Sequence, residues 1–475
     1  MLLCELLNGI ECHILNEVQV DITELSIDSR KCVYGSLFFC IEGINVDAHN
    51  FALDAVQNGA VAMVVSKQID IDIPQILVKD VRKTLTKICS NFYNNVDKKL
   101  KFIGITGTNG KTTTSFIIKA ILEGAGKTVG VIGTSGCFIG DKRYNTYLTT
   151  PDTIDLYKLL EIMHKSNVEY VIMEVSAHSI ALDKIFGLRF EIGIFTNLTQ
   201  DHLDYFKTIQ SYWQVKKHFL VDFCDKLIVN VDDYCGKELL NGSKNVYTYG
   251  LNNPSDIFAV DIRNQLVGSE FFVNLNDEVA KVKFVLPGEY NVYNVMAGLL
   301  VGHLLGVNLD DSTREVSLMC GVDGRCDIQK VKDFYVIIDY AHTPDALLKL
   351  LTTVKQLAKG RIITVFGASG NRDALKRPLM GKVVSLFSDY SIITSDNPAF
   401  EVPEDIIENV ARGYINDKFE KEADRAKAVA KALVLARQDD IVVICGKGRE
   451  TSQDVMGVNI PYCDYDEVQK FIDHN

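Results

Sequence analysis

Residues 104–114 read Gly-Ile-Thr-Gly-Thr-Asn-Gly-Lys-Thr-Thr-Thr. An apolar, β-type run at 100–105 precedes them and a helix-like stretch at 112–123 follows. A glycine-rich turn between a strand and a helix start is a phosphate cradle. Backbone N–H groups point inward, the helix N-terminus carries partial positive charge, and Lys111 adds a full one. Thr112 offers a hydroxyl for Mg²⁺. The usual pattern, G-x-x-x-x-G-K-[ST], would place its first glycine at Ile105. The cradle is instead Gly107-Thr-Asn-Gly-Lys-Thr112. An ordinary Gly/Asn turn before Lys-Thr is the alternative, and the strand–helix context argues against it. The expectation is a nucleoside-triphosphate site.

Working outward, 475 residues correspond to about three domains. Residues 1–97 read as a small N-terminal unit, with β-like stretches at 36–42, 61–65 and 76–78 and helix-like ones at 51–58 and 81–94. A polar linker is expected at 94–99. Residues 98–323 alternate strand and helix (128–133, 154–165, 168–175, 191–198, 212–223, 226–231), which predicts a mostly parallel sheet covered by helices. Residues 324–475 alternate again (334–339, 346–359, 361–366, 390–394, 407–414, 441–445). The fold class is α/β. Ligands of such sheets sit at the carboxyl ends of strands, where Glu174, Asn197, Asp339, Gly367, Asp396 and Gly446 fall.

Net charge is −12, so no overall pull toward nucleic acid exists. Twelve cysteines without a Cys-x-x-Cys pair argue for reduced thiols in a cytoplasmic chain. No secretory signal is evident, and no apolar run approaches the ~20 residues of a membrane-crossing helix.

Several constellations carry chemistry. Glu174 ends an apolar run, and His202 lies in Asn197-Leu-Thr-Gln-Asp-His202 just after another. With Lys111 and Thr112 they are candidates to hold a metal beside phosphates, although Mg²⁺ prefers oxygen and a histidine ligand is a minority arrangement. Lys216 lies on a helical stretch at 211–223, ordinarily a solvated face. The third region contains Asp323-Gly-Arg325, Asp339-Tyr-Ala-His-Thr-Pro344, Gly367-Ala-Ser-Gly-Asn-Arg-Asp373, Lys376-Arg-Pro378, Ser395-Asp-Asn-Pro-Ala399 and Gly446-Lys-Gly-Arg-Glu450. Arg372 and Arg377 can each fork onto a carboxylate or phosphate. Asp396 and Glu450 can each hold an ammonium. These clusters, at successive strand ends, are expected to converge on one rim.

Together these motifs resemble the Mur ligase family, in its MurE type, which extends UDP-N-acetylmuramoyl-L-alanyl-D-glutamate by one diamino acid in peptidoglycan precursor synthesis. The resemblance covers essentially the whole chain. It implies an N-terminal uridine-nucleotide domain, marked by Asp28-Ser-Arg30 and Gly43-x-x-x-Asp47-x-His49, then a central ATP-binding domain and a C-terminal Rossmann-like domain. It implies that ATP contacts Gly107, Thr108, Asn109, Gly110, Lys111, Thr112, Thr113, Asn197, Arg325, Asp339 and His342. Ser29, Thr149, Thr150, Ser176 and Lys184 are implied to bind the muramoyl-dipeptide. Arg372, Asp396, Asn397, Pro398, Ala399, Gly446 and Glu450 are implied to bind the incoming amino acid. Lys216 aligns with a carbamylated lysine: CO₂ converts its ammonium into a carbamate, which with Thr112, Glu174 and His202 serves two Mg²⁺ ions. Lys111, Glu174, His202 and Lys216 are the implied catalytic set. A monomer with small-molecule partners only is expected.

The resemblance has departures. Diaminopimelate enzymes usually read Asp-Asn-Pro-Arg where this chain has Asp396-Asn-Pro-Ala399. Without that arginine L-lysine is the first expectation. Diaminopimelate stands second, because Arg449 or a neighbouring arginine could substitute, and ornithine stays open. Relatives often carry glutamine and arginine near Leu182 and Lys184, and a second serine at Ala177. Folylpolyglutamate or cyanophycin synthesis is a competing reading, opposed by the Asp28-Ser-Arg30 unit. A non-catalytic nucleotide-binding protein is a third, opposed by the intact catalytic set.

Overall fold

The computed structural model describes residues 1–43, 46–146, 148–242 and 245–474. The chain divides into two compact units. One comprises Met1–Gly104, Thr128–Glu191 and Val221–Asp225, the other Ile105–Lys127, Ile192–Leu220 and Lys226–Asn475.

The first unit opens with a five-stranded sheet in the order His13–Leu15, Gln75–Leu77, Ala60–Val65, Ser36–Phe39, Glu24–Ser26. All neighbours are parallel except the first pair. Ser36–Phe39 is buried at every position, as expected of a strand covered on both faces. Phe38, Met63 and Val65 form a core with Ala52 and Ala55 of the helix Ala52–Gln57. The expected linker at 94–99 is instead a short 3₁₀ turn, Val96–Lys98, entered through Asn95 at φ +54 and anchored by buried Val96. One apolar side chain in a polar segment suffices to pin it. The same unit carries Val129–Gly133 parallel to Tyr170–Glu174 and, on its other side, the antiparallel strands Gly136–Ile139 and Lys142–Tyr144.

The second unit begins with Ile105 and Thr106, the last two residues of strand β1 (Lys101–Thr106), which lead into the phosphate turn, and helix α1 (Lys111–Gly124) leaves it. Most of strand β2 (Phe190–Phe195) and of helix α2 (Ile209–Phe223) follow in this unit. Beyond lies a region for which the sequence reading assigned no elements. It is an antiparallel meander, Ile257–Gln265, Gly268–Leu275 and Glu278–Phe284, whose last strand alternates exposed and buried residues. Helix α3 (Glu289–Leu304) is buried on almost every face, so no amphipathic stripe announces it. Cβ atoms at Gly298 and Gly302 would collide with Ile117 and Ile121, so these glycines let α3 lie close against α1.

The second sheet of this unit contains β3 (Phe334–Asp339), β4 (Ile362–Phe366), β5 (Tyr390–Thr394) and β6 (Ile441–Cys445) in the spatial order β3-β6-β4-β5, all parallel. Asp327–Val331 pairs antiparallel with β3, and Phe419–Glu422 parallel with β5. Val336, Ile363, Ile392 and Val442 pack against Val429 and Leu433 of helix Arg425–Leu435. Each such burial contributes roughly 1.5–3 kcal/mol. Helices α4 (Pro344–Leu357) and α5 (Lys376–Phe387) follow β3 and β4. The α/β class holds throughout. Helix Pro403–Ala411 begins earlier than the 407–414 expected, because Pro403 is suited to a first helical turn.

Candidate active site

The phosphate turn takes its shape from two glycines at positive φ, Gly107 (+147) and Gly110 (+89). A Cβ at Gly107 would strike Thr196 Oγ1, and one at Gly110 would lie 2.5 Å from Asn294 Oδ1. At both positions the positive φ favours glycine, and a side chain would also have to displace Thr196 or the Asn294 amide. Thr108 N–H donates to Asn197 O (2.9 Å), and Asn109 N–H to Asn197 Oδ1 (3.0 Å). Thr196 Oγ1 donates to Asn109 O (2.7 Å). The segment after β2 thus straps the turn in place. Asn197, expected to bind ATP, braces the turn that would do so. No side chain caps α1, which leaves its N-terminal N–H groups facing the turn. Lys111 Nζ donates to Gly107 O (3.0 Å) and Thr108 O (2.8 Å), curling back over it.

Lys216 departs most from its ordinary reading. It is 1% exposed, with Nζ donating to Gly107 O (3.0 Å) and lying 3.4 Å from Thr106 Oγ1. The Tyr212 ring lies 4.6 Å away. Burial, and then the charge of Lys111, push its ammonium well below the ordinary lysine range. The sequence did carry a signal. Tyr212, Trp213, Phe219 and Leu220 are the buried stripe of α2, and Lys216 falls in the middle of that stripe.

His202 sits at φ +57. Its backbone N–H donates to Asp201 Oδ1 (3.0 Å), and its Nε2 lies 3.3 Å from Asp201 Oδ2. Burial alone would raise the Asp201 carboxyl, but Lys376 and His202 outweigh it and hold the group below the ordinary carboxylate range. Asp201 was not singled out from sequence.

Beside the turn lies a cavity of about 520 Å³ lined by Asn109, Gly110, Asn294, Arg325, Asp339 and His342 among others, within the range of small-molecule sites. Arg325 Nη2 donates to Thr112 Oγ1 (2.9 Å), and its guanidinium stacks 4.4 Å from the Tyr340 ring centre. Asp339 accepts N–H bonds from Cys326 and Ala341 (both 2.6 Å), and burial raises its carboxyl. His342 is lowered by burial and by Lys376. Asn291 and Asn294, bonded to each other at 3.1 Å on α3, were missed. Their helix gives no periodic signal.

The strand ends of the second sheet carry the remaining candidates. Asp396 accepts from Ser369 Oγ (3.2 Å), while its buried Oδ2 has no hydrogen-bond partner among the described residues. Burial would raise it, but Lys447 and Arg425 lower it overall. Glu450 accepts from Asn397 Nδ2 (3.0 Å) and from Lys447 Nζ (2.6 Å), a lysine with no exposed surface. Ala399 has φ +50, and its N–H donates to Asp454 O (3.0 Å). Arg377 forks onto a carboxylate, that of Glu401, with both bonds at 2.8 Å. Arg372 is exposed and makes no hydrogen bond or ion pair among the described residues.

The first unit holds its candidates separately. Thr134 donates to both Glu174 oxygens, through N–H (3.1 Å) and Oγ1 (3.0 Å). Thr149 Oγ1 lies 3.1 Å from Thr134 Oγ1. Thr150 Oγ1 donates to Glu174 O (2.8 Å), and Ser176 caps the short helix Ala177–Ala181. Lys184, expected to reach a ligand anion, already pairs with Asp152 at 2.6 Å. A cavity of about 860 Å³ is lined by Asp28, Ser29, Arg30, Phe38, Asp152 and Lys158. In the Gly43–His49 motif, His49 Nδ1 bonds Asp47 (2.5 Å) and its Nε2 accepts from Ser66 N–H (3.2 Å). Residues 44 and 45 of that motif lie outside the described residues.

A strapped phosphate turn with a nucleotide-sized cavity between parallel-sheet strand ends defines an ATP-using α/β enzyme. The family model of the Mur ligase middle domain matches residues 105–302, that of the Mur ligase glutamate ligase domain residues 324–448, and that of the Mur ligase family catalytic domain residues 21–95. The chain is 42% identical to UDP-N-acetylmuramoyl-L-alanyl-D-glutamate--2,6-diaminopimelate ligase of Clostridium perfringens, covering 95% of this chain and 96% of that one. It is 39% identical to the ligase of the same name from Clostridium tetani, covering 100% and 99%. A solved structure of a ligase of that name shares 29% identity at a TM-score of 0.67, covering 95% of both chains. The chain belongs to the Mur ligase family, and it is an ATP-dependent ligase forming amide bonds. No helix among the described residues is long and apolar enough to cross a membrane.

Proposed function

We propose that this enzyme joins meso-2,6-diaminopimelate to the γ-carboxylate of D-glutamate in UDP-N-acetylmuramoyl-L-alanyl-D-glutamate, in the cytoplasm, with ATP as co-substrate. The observation that carries this reading is near-complete coverage by relatives bearing that name, at 42% and 39% identity. The cavity lined by Ser29 and Asp152 is the proposed site of the uridine nucleotide and dipeptide. The cavity beside Gly110 is that of ATP.

The chemistry runs through an acyl phosphate. A γ-carboxylate oxygen attacks the terminal phosphorus of ATP and ADP departs. The α-amine of the diamino acid then attacks the activated carbonyl, and phosphate leaves as the amide forms. No side-chain nucleophile is required. Lys111 and the N–H groups of the turn stabilise the transferring charge. The amine must arrive uncharged, so the site has to take up or exclude its proton.

The donor chemistry fits the implied modification. A buried amine whose burial favours the neutral form is the form that adds CO₂, losing one proton to become a carbamate. Thr112, His202 and carbamylated Lys216 would hold Mg²⁺, which when bound neutralises phosphate charge. Arg372 is the proposed contact for the amino acid's carboxylate, and Asp396 and Glu450 for its far end.

L-lysine is the second reading, favoured by Ala399. That residue offers no fork to a second carboxylate. Phosphate release with UDP-muramoyl-dipeptide and ATP, using diaminopimelate, L-lysine or ornithine, decides between them. The proposal requires the highest kcat/KM with diaminopimelate. A clear preference for L-lysine replaces it with the second reading.

A further inference from the structure

Two consecutive residues at the start of α5, Lys376 and Arg377, are almost fully buried, and each ends on a different proposed site. Lys376 Nζ lies 3.3 Å from Asp201 Oδ1. That carboxylate also accepts the N–H of His202 and contacts its ring. Arg377 is 2% exposed and grips Glu401 with both Nη atoms while reaching Ser369 O (3.3 Å). Glu401 and Ser369 are tied in turn to the amino-acid loop. Glu401 N–H donates to Pro398 O (3.0 Å), Gly370 N–H to Asn397 O (2.8 Å), and Ser369 Oγ to Asp396. A second bond repeats the link to the His202 side, Gln200 Nε2 to Asp373 Oδ2 (3.2 Å). Segment 369–377 is thus a physical bridge between the loop proposed to hold the amino acid and the loop that carries His202.

The two ends belong to stretches matched by different domain models, 105–302 and 324–448, each with its own sheet. The bonds joining them here are made by side chains, the reversible kind that joins domains able to separate. Lys376 sits against a buried carboxylate. Losing that contact leaves Asp201 less compensated, so undocking is resisted at this point.

We propose that Lys376 is a positioning residue that couples the two sites: docking of Lys376 on Asp201 sets the amino-acid loop through Arg377, and an amino acid in that loop favours docking. The proposal rests on the function proposed above. Linkage makes the coupling reciprocal, so nucleotide and amino acid raise each other's affinity by the same factor.

The test is calorimetric titration of diaminopimelate, and separately L-lysine, into the full chain with and without a non-hydrolysable ATP analogue, Mg²⁺ and UDP-muramoyl-dipeptide. The wild type should bind the amino acid about tenfold more tightly with them present, a typical coupling. In Lys376→Met the two affinities should converge, and Lys376→Arg should restore the difference. A purely structural lysine would lower thermal stability yet leave the ratio intact, and that result overturns the proposal. So does a wild type without coupling. Should Lys376→Met fail to fold, Gln200→Ala is read instead, and an undiminished ratio there is equally fatal. A wild type that binds neither amino acid under any condition sinks the proposed function rather than the coupling.

Discussion

The phosphate turn and the Asp396–Ala399 loop are both strand-end loops lined with polar side chains, yet they are built differently. The turn at 107–112 is shaped by its own backbone and strapped by the side chains of Thr196 and Asn197. Two glycines take conformations closed to other residues, and the neighbouring segment at 196–199 closes over them. The amino-acid loop has no glycine of its own; backbone bonds to Gly370, Asp454 and Met456 hold it, and side chains from afar tie it further: Ser369, Arg377 through Glu401, Lys447 and Glu450. A loop held by its backbone tolerates little change and performs one task. A loop held by side-chain pairs can be retuned one residue at a time, as selectivity among diamino acids requires.

That contrast is open to attack at its strongest point first. Arg425 and Asp464 form a two-pronged ion pair (2.9 and 2.8 Å) with no exposed side-chain surface, and Arg425 also donates to Cys445 O (2.9 Å) at the end of β6. Removing one member leaves the other charge buried. Asp464→Ala should therefore cost about 3–5 kcal/mol, read as a lower urea midpoint. Hydrogen exchange should quicken around β5 and β6 while the phosphate turn keeps its protection. Equal loosening at 107–112 would mean the two loops do not rest on separate supports.

On the phosphate side, Lys216→Met should lower kcat about 10²–10³-fold, the scale of a lost preorganised electrostatic group, with little change in thermal stability. A variant within threefold of wild type would return Lys216 to an ordinary buried lysine. Gly110→Ala is expected to cost about 1–3 kcal/mol from backbone strain at φ +89. The loss should appear as a raised KM for ATP with the diamino-acid KM unmoved. If both constants rise together, the turn and the amino-acid loop are less independent than their construction implies.

What the sequence disclosed follows the same division. Gly107–Thr112 was legible because a backbone motif is local: its residues, spacing and flanking elements are contiguous. Lys216 was half legible, since its place on the apolar stripe of α2 is a periodic signal, but a lysine there invites the solvated reading. Asp201, Lys376 and Lys447 were not legible as partners. An ion pair separated by 175 residues leaves no trace in spacing. Asn291 and Asn294 were hidden by a helix buried on nearly all faces, and the meander at 257–284 went unassigned although its last strand alternates with period two. Arg377 was legible as a fork for a carboxylate or phosphate, but not which carboxylate: Glu401, which takes both its prongs, is brought near by the fold.

The smallest expected effect falls on the position that separates the two amino-acid readings. Ala399 is partly exposed, with its backbone N–H and C=O committed to Asp454 and Met456. Its conformation is thus held by bonds that a longer side chain need not disturb. The positive φ is already tolerated by a residue with a Cβ, so Ala399→Arg adds no new backbone strain. It adds a guanidinium beside Asn397, whose amide is turned toward Glu450 by Lys447 (2.9 Å). A charge-assisted pair with a second carboxylate should then shift the ratio of kcat/KM for diaminopimelate over L-lysine about tenfold upward, the equivalent of 1.4 kcal/mol. An unchanged ratio in a folded variant would mean that another cation already reads that carboxylate. A fall in that ratio in Lys447→Met would then identify Lys447 as that cation, because its loss removes the only fully buried ammonium bonded to Glu450 among the described residues.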